Sequence, residues 1–217
     1  MLSDIHGNSL LAQKIYEQAS TEEINALVVC GDLTHFGNLA QAKEVLKELT
    51  MFGLPVLFVP GNCDPKELAT THFFEGAINI HGKYEEVGSL GFIGVGGSSP
   101  SPFNTPFEIS EDEIRKILTE AYNNLKSETR PVLVSHSPPF NTNVDITFSG
   151  VHAGSRAVRE FIEAEKPILV LCGHIHEARG IEVLGEVLIV NPGLTRRGAF
   201  AIVDVDGEAK AKLGVLQ

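Results

Sequence analysis

"PVLFVPGNCDP", residues 55–65, sets out the fold in one line: a short apolar run stops at Pro60-Gly61, and an amide, a thiol and a carboxylate follow at once as Asn62, Cys63 and Asp64. An uncharged apolar run of this length, closed by a small residue, reads as a strand buried on both faces. "ALVVCGD" (26–32), "PVLVSH" (131–136) and "PILVLCGH" (167–174) repeat the form. Amphipathic segments lie between these runs. Leu39, Ala42, Val45, Leu46 and Leu49 fall on one helical face. Ile114, Ile117, Leu118, Ala121 and Leu125 fall on another, in a helix that Ser110 and Glu113 open as a capping box. Ser155 to Glu165 reads as a third helix. Past residue 178 the texture changes to short strands with Gly turns, "GIEVLG", "EVLIVN", "AFAIVDV" and "AKLGVL", and 78–97 is similar. The expectation is an α/β chain with a strand-rich second half, in one domain spanning 1–217. "GGSSPSPFNTPFEIS" (96–110) reads as a rim or lid loop.

The chain has 217 residues, is 43% hydrophobic and carries a net charge of −11. That is ample for a buried core. No basic stripe is present, so no dedicated nucleic-acid binding is expected. Carboxylates gathered around divalent cations would inflate the negative count, because the metal's charge is missing from it. No apolar run approaches the length of a membrane span, and no charged-apolar-small leader precedes the domain. Three cysteines, Cys30, Cys63 and Cys172, are too few for a disulfide framework. The expected location is therefore the reducing cytoplasm.

The decisive pattern is what closes each strand. "SDIHGN" supplies Asp4, His6 and Asn8; "GD" supplies Asp32; "GN" supplies Asn62; "SH" supplies His136; "GHIH" supplies His174 and His176. In an open α/β sheet, ligands bind outside the carboxyl ends of the strands, so these side chains meet at one rim. Any one of them has a plainer reading: "DIH" as a turn, Asp32 as a helix cap, His136 as a satisfied core histidine. "GHIH" is harder to dismiss, since residues two apart on an extended stretch face the same side. The donors are oxygen and nitrogen only, which suits Mn²⁺ first, with Fe, Zn²⁺ or Ni as alternatives. Apart from Asn8 there are seven such donors, which exceed the needs of one ion and suit two that share a carboxylate.

This order of motifs, D-x-H, G-D, G-N, a lone His and G-H-x-H over positions 4–176, resembles the calcineurin-like metallophosphoesterases. The resemblance implies a four-layer α/β/β/α sandwich with two mixed β-sheets and a hydrolase of phosphate esters, phosphodiesters more than phosphomonoesters, on small-molecule substrates. It also implies two metal ions, one on Asp4, His6, Asp32 and His176, the other on Asp32, Asn62, His136 and His174, with attack by a metal-bridging hydroxide. The alternative is a protein-interaction scaffold of the same fold with weak or no catalysis. A homo-oligomer is compatible with either.

The resemblance breaks at Cys63, where most members have a histidine that serves the leaving group. Cys63 then stands at the acid's place or is a packed residue, and Asp64 either orients an acid or caps a short helix through Pro65 at its first position. His152, in "SGVHAGSRAVRE" (149–160), precedes a helix N-terminus, a place that binds anions through backbone N–H groups. It is expected to touch substrate phosphate or to face solvent. Arg179 meets phosphate or pairs with Glu177 or Glu182; Asn8 holds the turn or contacts phosphate. His35 is an outside candidate, and His72 and His81 read as surface residues. Only Met1, Leu2 and Ser3 precede Asp4, so Asp4 and His6 are expected on a stub with few ladder hydrogen bonds.

Overall fold

The computed structural model describes residues 1–8, 10–51, 53–71, 73–74, 76–125 and 130–216. The four apolar runs form the strands β1 (Leu27–Cys30), β2 (Val56–Val59), β7 (Val132–Ser135) and β8 (Leu169–Leu171). With β3 (Phe73–Phe74) and β4 (Ala77–Asn79), the first two make a four-stranded sheet in the order β1-β2-β4-β3. A six-stranded sheet runs β5-β6-β7-β8-β10-β9, built from β5 (Tyr84–Val87), β6 (Leu90–Val95), β7, β8, β9 (Gly180–Leu184) and β10 (Val187–Asn191). In both sheets the inner strands are parallel and antiparallel partners sit at an edge. A long hairpin, β11 (Ala199–Asp206) with β12 (Glu208–Val215), follows.

Alternation along the strands produces the layers. Leu27, Val29, Val56 and Phe58 pack against the helices α1 (Leu11–Ala19) and α2 (Leu39–Thr50), while Val28, Cys30, Leu57 and Val59 point the other way. There they meet Phe92, Val132, Val134, Leu169, Leu171 and Val190 of the second sheet. The opposite face of that sheet, with Ile93, Leu133, Val170 and Ile189, is covered by α3 (Glu111–Asn123) and α4 (Arg156–Glu165). Helix, sheet, sheet and helix stack in that order, the four-layer α/β/β/α arrangement that the resemblance implies.

Local chemistry sets the helix starts. Asn38 and Ser110 each form a reciprocal capping box, with Gln41 and Glu113 respectively, and Ser155 accepts from Val158 N–H. Helix α1 has no counterpart among the expected elements; only Ala12 and Ile15 are buried on it, so its apolar stripe is narrow.

The short N-terminal segment is not poorly bonded, contrary to expectation. Leu2 N–H donates to Val28 O and Cys30 N–H to Leu2 O, both at 2.8 Å. Asp4 and His6 N–H continue the ladder to Gly31 O and Asp32 O. On the other flank Ala201 donates to Met1 O, Thr195 to Ser3 O and Arg196 to Asp4 O. The segment lies between β1 and β11 and bonds on both sides, which fixes Asp4 and His6 firmly.

Candidate metal centre

The strand-end motifs meet around Asp32. Its carboxylate is 2% exposed, and its two oxygens face different partners: Oδ2 lies 3.7 Å from His6 Nε2 and Oδ1 lies 3.6 Å from His136 Nε2. Ligand atoms of Asp4, His6 and His176 lie within 4.8 Å of one another, as do those of Asp4, Asp32 and His136. Asn62 Oδ1 is 2.8 Å from His136 Nε2, and the rings of His136 and His174 are 4.9 Å apart.

Backbone geometry brings these groups so close. Asp4, His6, Asp32 and His174 all have positive φ, between 49° and 68°. Such conformations cost roughly 1–3 kcal/mol each and collect at functional sites. The glycines of "GD" and "GN" serve close approach: a Cβ on Gly31 would collide with His136 and Gly61, and one on Gly61 with Asp32.

The donors suit a divalent cation. His6 Nδ1 contacts Thr34 O at 3.2 Å and His136 Nδ1 contacts Cys30 O at 2.7 Å. A carbonyl on Nδ1 fixes the tautomer that presents an Nε2 lone pair to the centre. His136 Nε2 then faces Asn62 Oδ1, two lone pairs at 2.8 Å, a spacing that calls for a cation or a proton between them. Donors on one ion with bonds of about 2.0–2.2 Å lie about that far apart.

The electrostatics agree. Burial lifts Asp32 to about 7; the charge of His136 opposes the shift, and those of Asp4 and Asp64 add to it. Burial brings His6 down to about 4 against the pull of Asp4, and burial with His136 brings His174 to about 3. These imidazoles are therefore neutral donors at neutral pH. Burial would also raise Asp4, but hydrogen bonding from His176, the charges of His136 and His176 and the Ser3 hydroxyl hold it well below the carboxylate range. For His176, burial opposes a rise that its bond to Asp4 (3.1 Å) brings about. A buried carboxylate that ionises reluctantly, beside the neutral imidazole of His6, lacks the positive charge that a metal would bring.

The remaining candidates fall into different places. Cys63 is buried, its Sγ within 4.8 Å of ligand atoms of His6 and His35; burial, then the charge of Asp32, push its thiol up, so it keeps its proton. Asp64 caps no helix: the 3₁₀ turn Lys66–Thr70 begins at Pro65 without a side-chain cap. Its fully buried carboxylate accepts from Gly61 N, Leu33 N, Thr34 N and Thr34 Oγ1 at 2.7–3.1 Å, tying the Asp32 loop to the Asn62 loop.

His152 donates through Nδ1 to Asp145 Oδ1 at 2.6 Å. Asp145, which sequence reading missed, is fully buried and also accepts from Asn141, Thr142 and Gly154 N–H. The helix N-terminus behind His152 is already filled, because Glu111 accepts from Ala157 N at 2.7 Å and from Ser155 Oγ. The Ala157 amide is therefore already paired.

Arg179 pairs with neither Glu177 nor Glu182; it donates to Pro192 O and Gly214 O, each at 3.0 Å, fastening "NPG" to β12. Asn8 donates to Arg196 O and holds the turn. His35 is exposed, its ring 5.1 Å from that of His6. His81 is not a surface residue: Gly96 N–H donates to its Nδ1, its ring meets Phe107, and burial lowers it to about 4. His72 lies outside the described residues. The loop 96–110 is fastened to the site, with Gly97 N–H on Pro60 O and Phe107 N–H on Asn62 O. Among the described residues, no helix is long and apolar enough to cross a membrane.

Known proteins resemble this chain. The chain is 40% identical over 195 residues to the uncharacterized protein MJ1162 of Methanocaldococcus jannaschii, which covers 88% of this chain and 85% of that one. It is 26% identical over 185 residues to a probable cyclic nucleotide phosphodiesterase of Vesicomyosocius okutanii, covering 83% of this chain and 74% of the other. The crystal structure of TT1561 of Thermus thermophilus superposes with a TM-score of 0.75 at 18% identity, over 100% of this chain and 97% of that one, a likeness of fold. The model of the calcineurin-like phosphoesterases matches residues 1–178. That match runs from before the first ligand motif to past the last, and the chain belongs to the calcineurin-like phosphoesterase family.

Proposed function

We propose that this phosphoesterase works with two divalent ions and prefers phosphodiesters with good leaving groups. The observation that carries the reading is the division of Asp32, one oxygen towards His6 and the other towards His136. In this reading Asp4, His6, Asp32 and His176 hold one ion, and Asp32, Asn62, His136 and His174 hold the other. Bound, such a pair supplies hydroxide at neutral pH and positive charge for the phosphoryl oxygens. The chain's own part is to fix the imidazole tautomers through Thr34 O and Cys30 O and to keep the donors dry. His152, its Nδ1 held by Asp145, offers Nε2 to the phosphate. Its loop lies against the segment after "GHIH", where Phe148 N–H donates to Glu177. The diester preference is supported by the thiol at Cys63, a poor proton donor where an alkoxide must leave. It is supported too by the name of the Vesicomyosocius relative.

Chelator-stripped protein reloaded with Mn²⁺ should approach two ions per chain and regain turnover of activated diesters. A stoichiometry that stays near zero overturns the reading. Cys63→His should raise turnover of alkyl monoesters about 10-fold, below the 10²–10⁴-fold of a well-placed acid, and change activated diesters little. The measurement is the ratio of the two activities at equal metal content. An unmoved ratio makes Cys63 a packing residue.

A further inference from the structure

One side of the metal centre leads outward over a row of rings. His6, whose Nε2 faces Asp32, meets the ring of His35 edge-on at 5.1 Å, and His35 meets the ring of Phe36 at 4.8 Å. Phe36 is 55% exposed at the outer end of the row. Its backbone has φ of 55°, unusual for a bulky residue, and it is held there by a bond from its N–H to Cys63 O at 3.1 Å. Thr34 adds to the hold, donating to Asp64 and accepting from Gly37 N–H. Among the described residues Phe36 is not part of the apolar core that α1 and α2 cover. The fold therefore keeps a large aromatic ring exposed, in an unfavourable conformation, one ring away from a metal-ligand histidine. Phe103 and Phe148 are also exposed on strand-end loops, but among the described residues no ring contact joins either of them to the ligand histidines.

We propose that the exposed face of Phe36, with the His35 ring packed against it at 68°, is a stacking site that selects phosphate esters carrying a flat aromatic group. The proposal rests on the metal centre binding a phosphate ester. A ligand whose phosphorus sits at the metals can direct an attached ring along the row that begins at His6 and lay it against Phe36, the ring with the open face. Ring faces attract through dispersion and offset stacking, and the contact tolerates any flat π-system, whether aryl group or nucleobase.

The test is calorimetric binding of unreactive phosphonates to Mn²⁺-loaded protein, with phenyl-, cyclohexyl- and methylphosphonate as probes. The wild type should bind phenylphosphonate about 10-fold more tightly than methylphosphonate, as expected for one stacked ring, and cyclohexylphosphonate should fall well behind phenyl. In Phe36→Ala and Phe36→Leu the phenyl-to-methyl ratio should fall to about 2-fold or less. Because a ratio is read, general damage to the metal centre does not imitate the result. Thymidine 5′-phosphate against ribose 5-phosphate reads the same preference for a nucleobase, and separates that source from a simple aryl group. Equal affinities for phenyl- and methylphosphonate in the wild type, or a ratio kept in either variant, overturn the stacking site. If none of the phosphonates binds the metal-loaded protein, the phosphoesterase reading itself fails, and the stacking site with it.

Discussion

Asp32→Asn should lose at least about 10²-fold in kcat/KM towards an activated diester, the scale on which removing one essential electrostatic partner is felt, together with metal content. The carboxylate divides its oxygens between His6 and His136, and an amide offers one oxygen and a donor group in their place. The same variant should not harm the metal-free fold. Asp32 titrates at about 7 in the folded chain against an ordinary value of 3.8, chiefly through burial. The folded state therefore holds its proton more tightly than the unfolded one, and as pH rises above about 4 the ionised carboxylate weighs increasingly against folding. Asn carries no such charge. In chelator, urea unfolding at pH 8 should find Asp32→Asn at least as stable as the wild type, with the difference shrinking towards pH 4. Near-normal turnover would show that Asp32 does not bridge, and a large loss of metal-free stability would show that its role is structural.

Asp64→Asn should do the opposite, destabilising the metal-free chain by about 2–5 kcal/mol, since each buried donor left unpaired costs about 1–3 kcal/mol. Oδ2 accepts from Gly61 and Leu33 N–H, and Oδ1 from Thr34 N–H and Oγ1. The replacement amide keeps one acceptor oxygen and turns an N–H₂ group against whichever pair it fails to satisfy. The side chain keeps its size, so the loss reports hydrogen bonding and not a cavity. Because these bonds join the loop of Asp32 to the loop of Asn62, metal content should fall with stability. Were Asp64 there to orient a proton donor, the variant would unfold at wild-type urea concentrations and lose only activity.

The inner strands and the metal-site candidates are legible in the order of residues alone, and the layers follow from the family resemblance. Buried strands are continuous apolar runs, so Leu27–Cys30, Val56–Val59, Val132–Ser135 and Leu169–Leu171 are visible without a structure. The residue that closes each run must emerge at the carboxyl edge, which is why Asp32, Asn62, His136, His174 and His176 could be named from their neighbours alone. The capping box at Ser110 is equally local, spanning four residues. Contacts between distant segments are not legible there and emerge only when the chain is folded. Glu111 fills the N-terminus of α4 from 46 residues away, Arg179 meets Gly214 O 35 residues on, and the segment at Met1–Ser3 is held by partners near 30 and 200. Asp64, bonded to Leu33 and Thr34, and His81, bonded to Gly96, belong to the same class. A buried carboxylate or imidazole goes to whichever donors the packing leaves unpaired, and in this chain those donors lie on backbone that a different loop or strand has brought alongside.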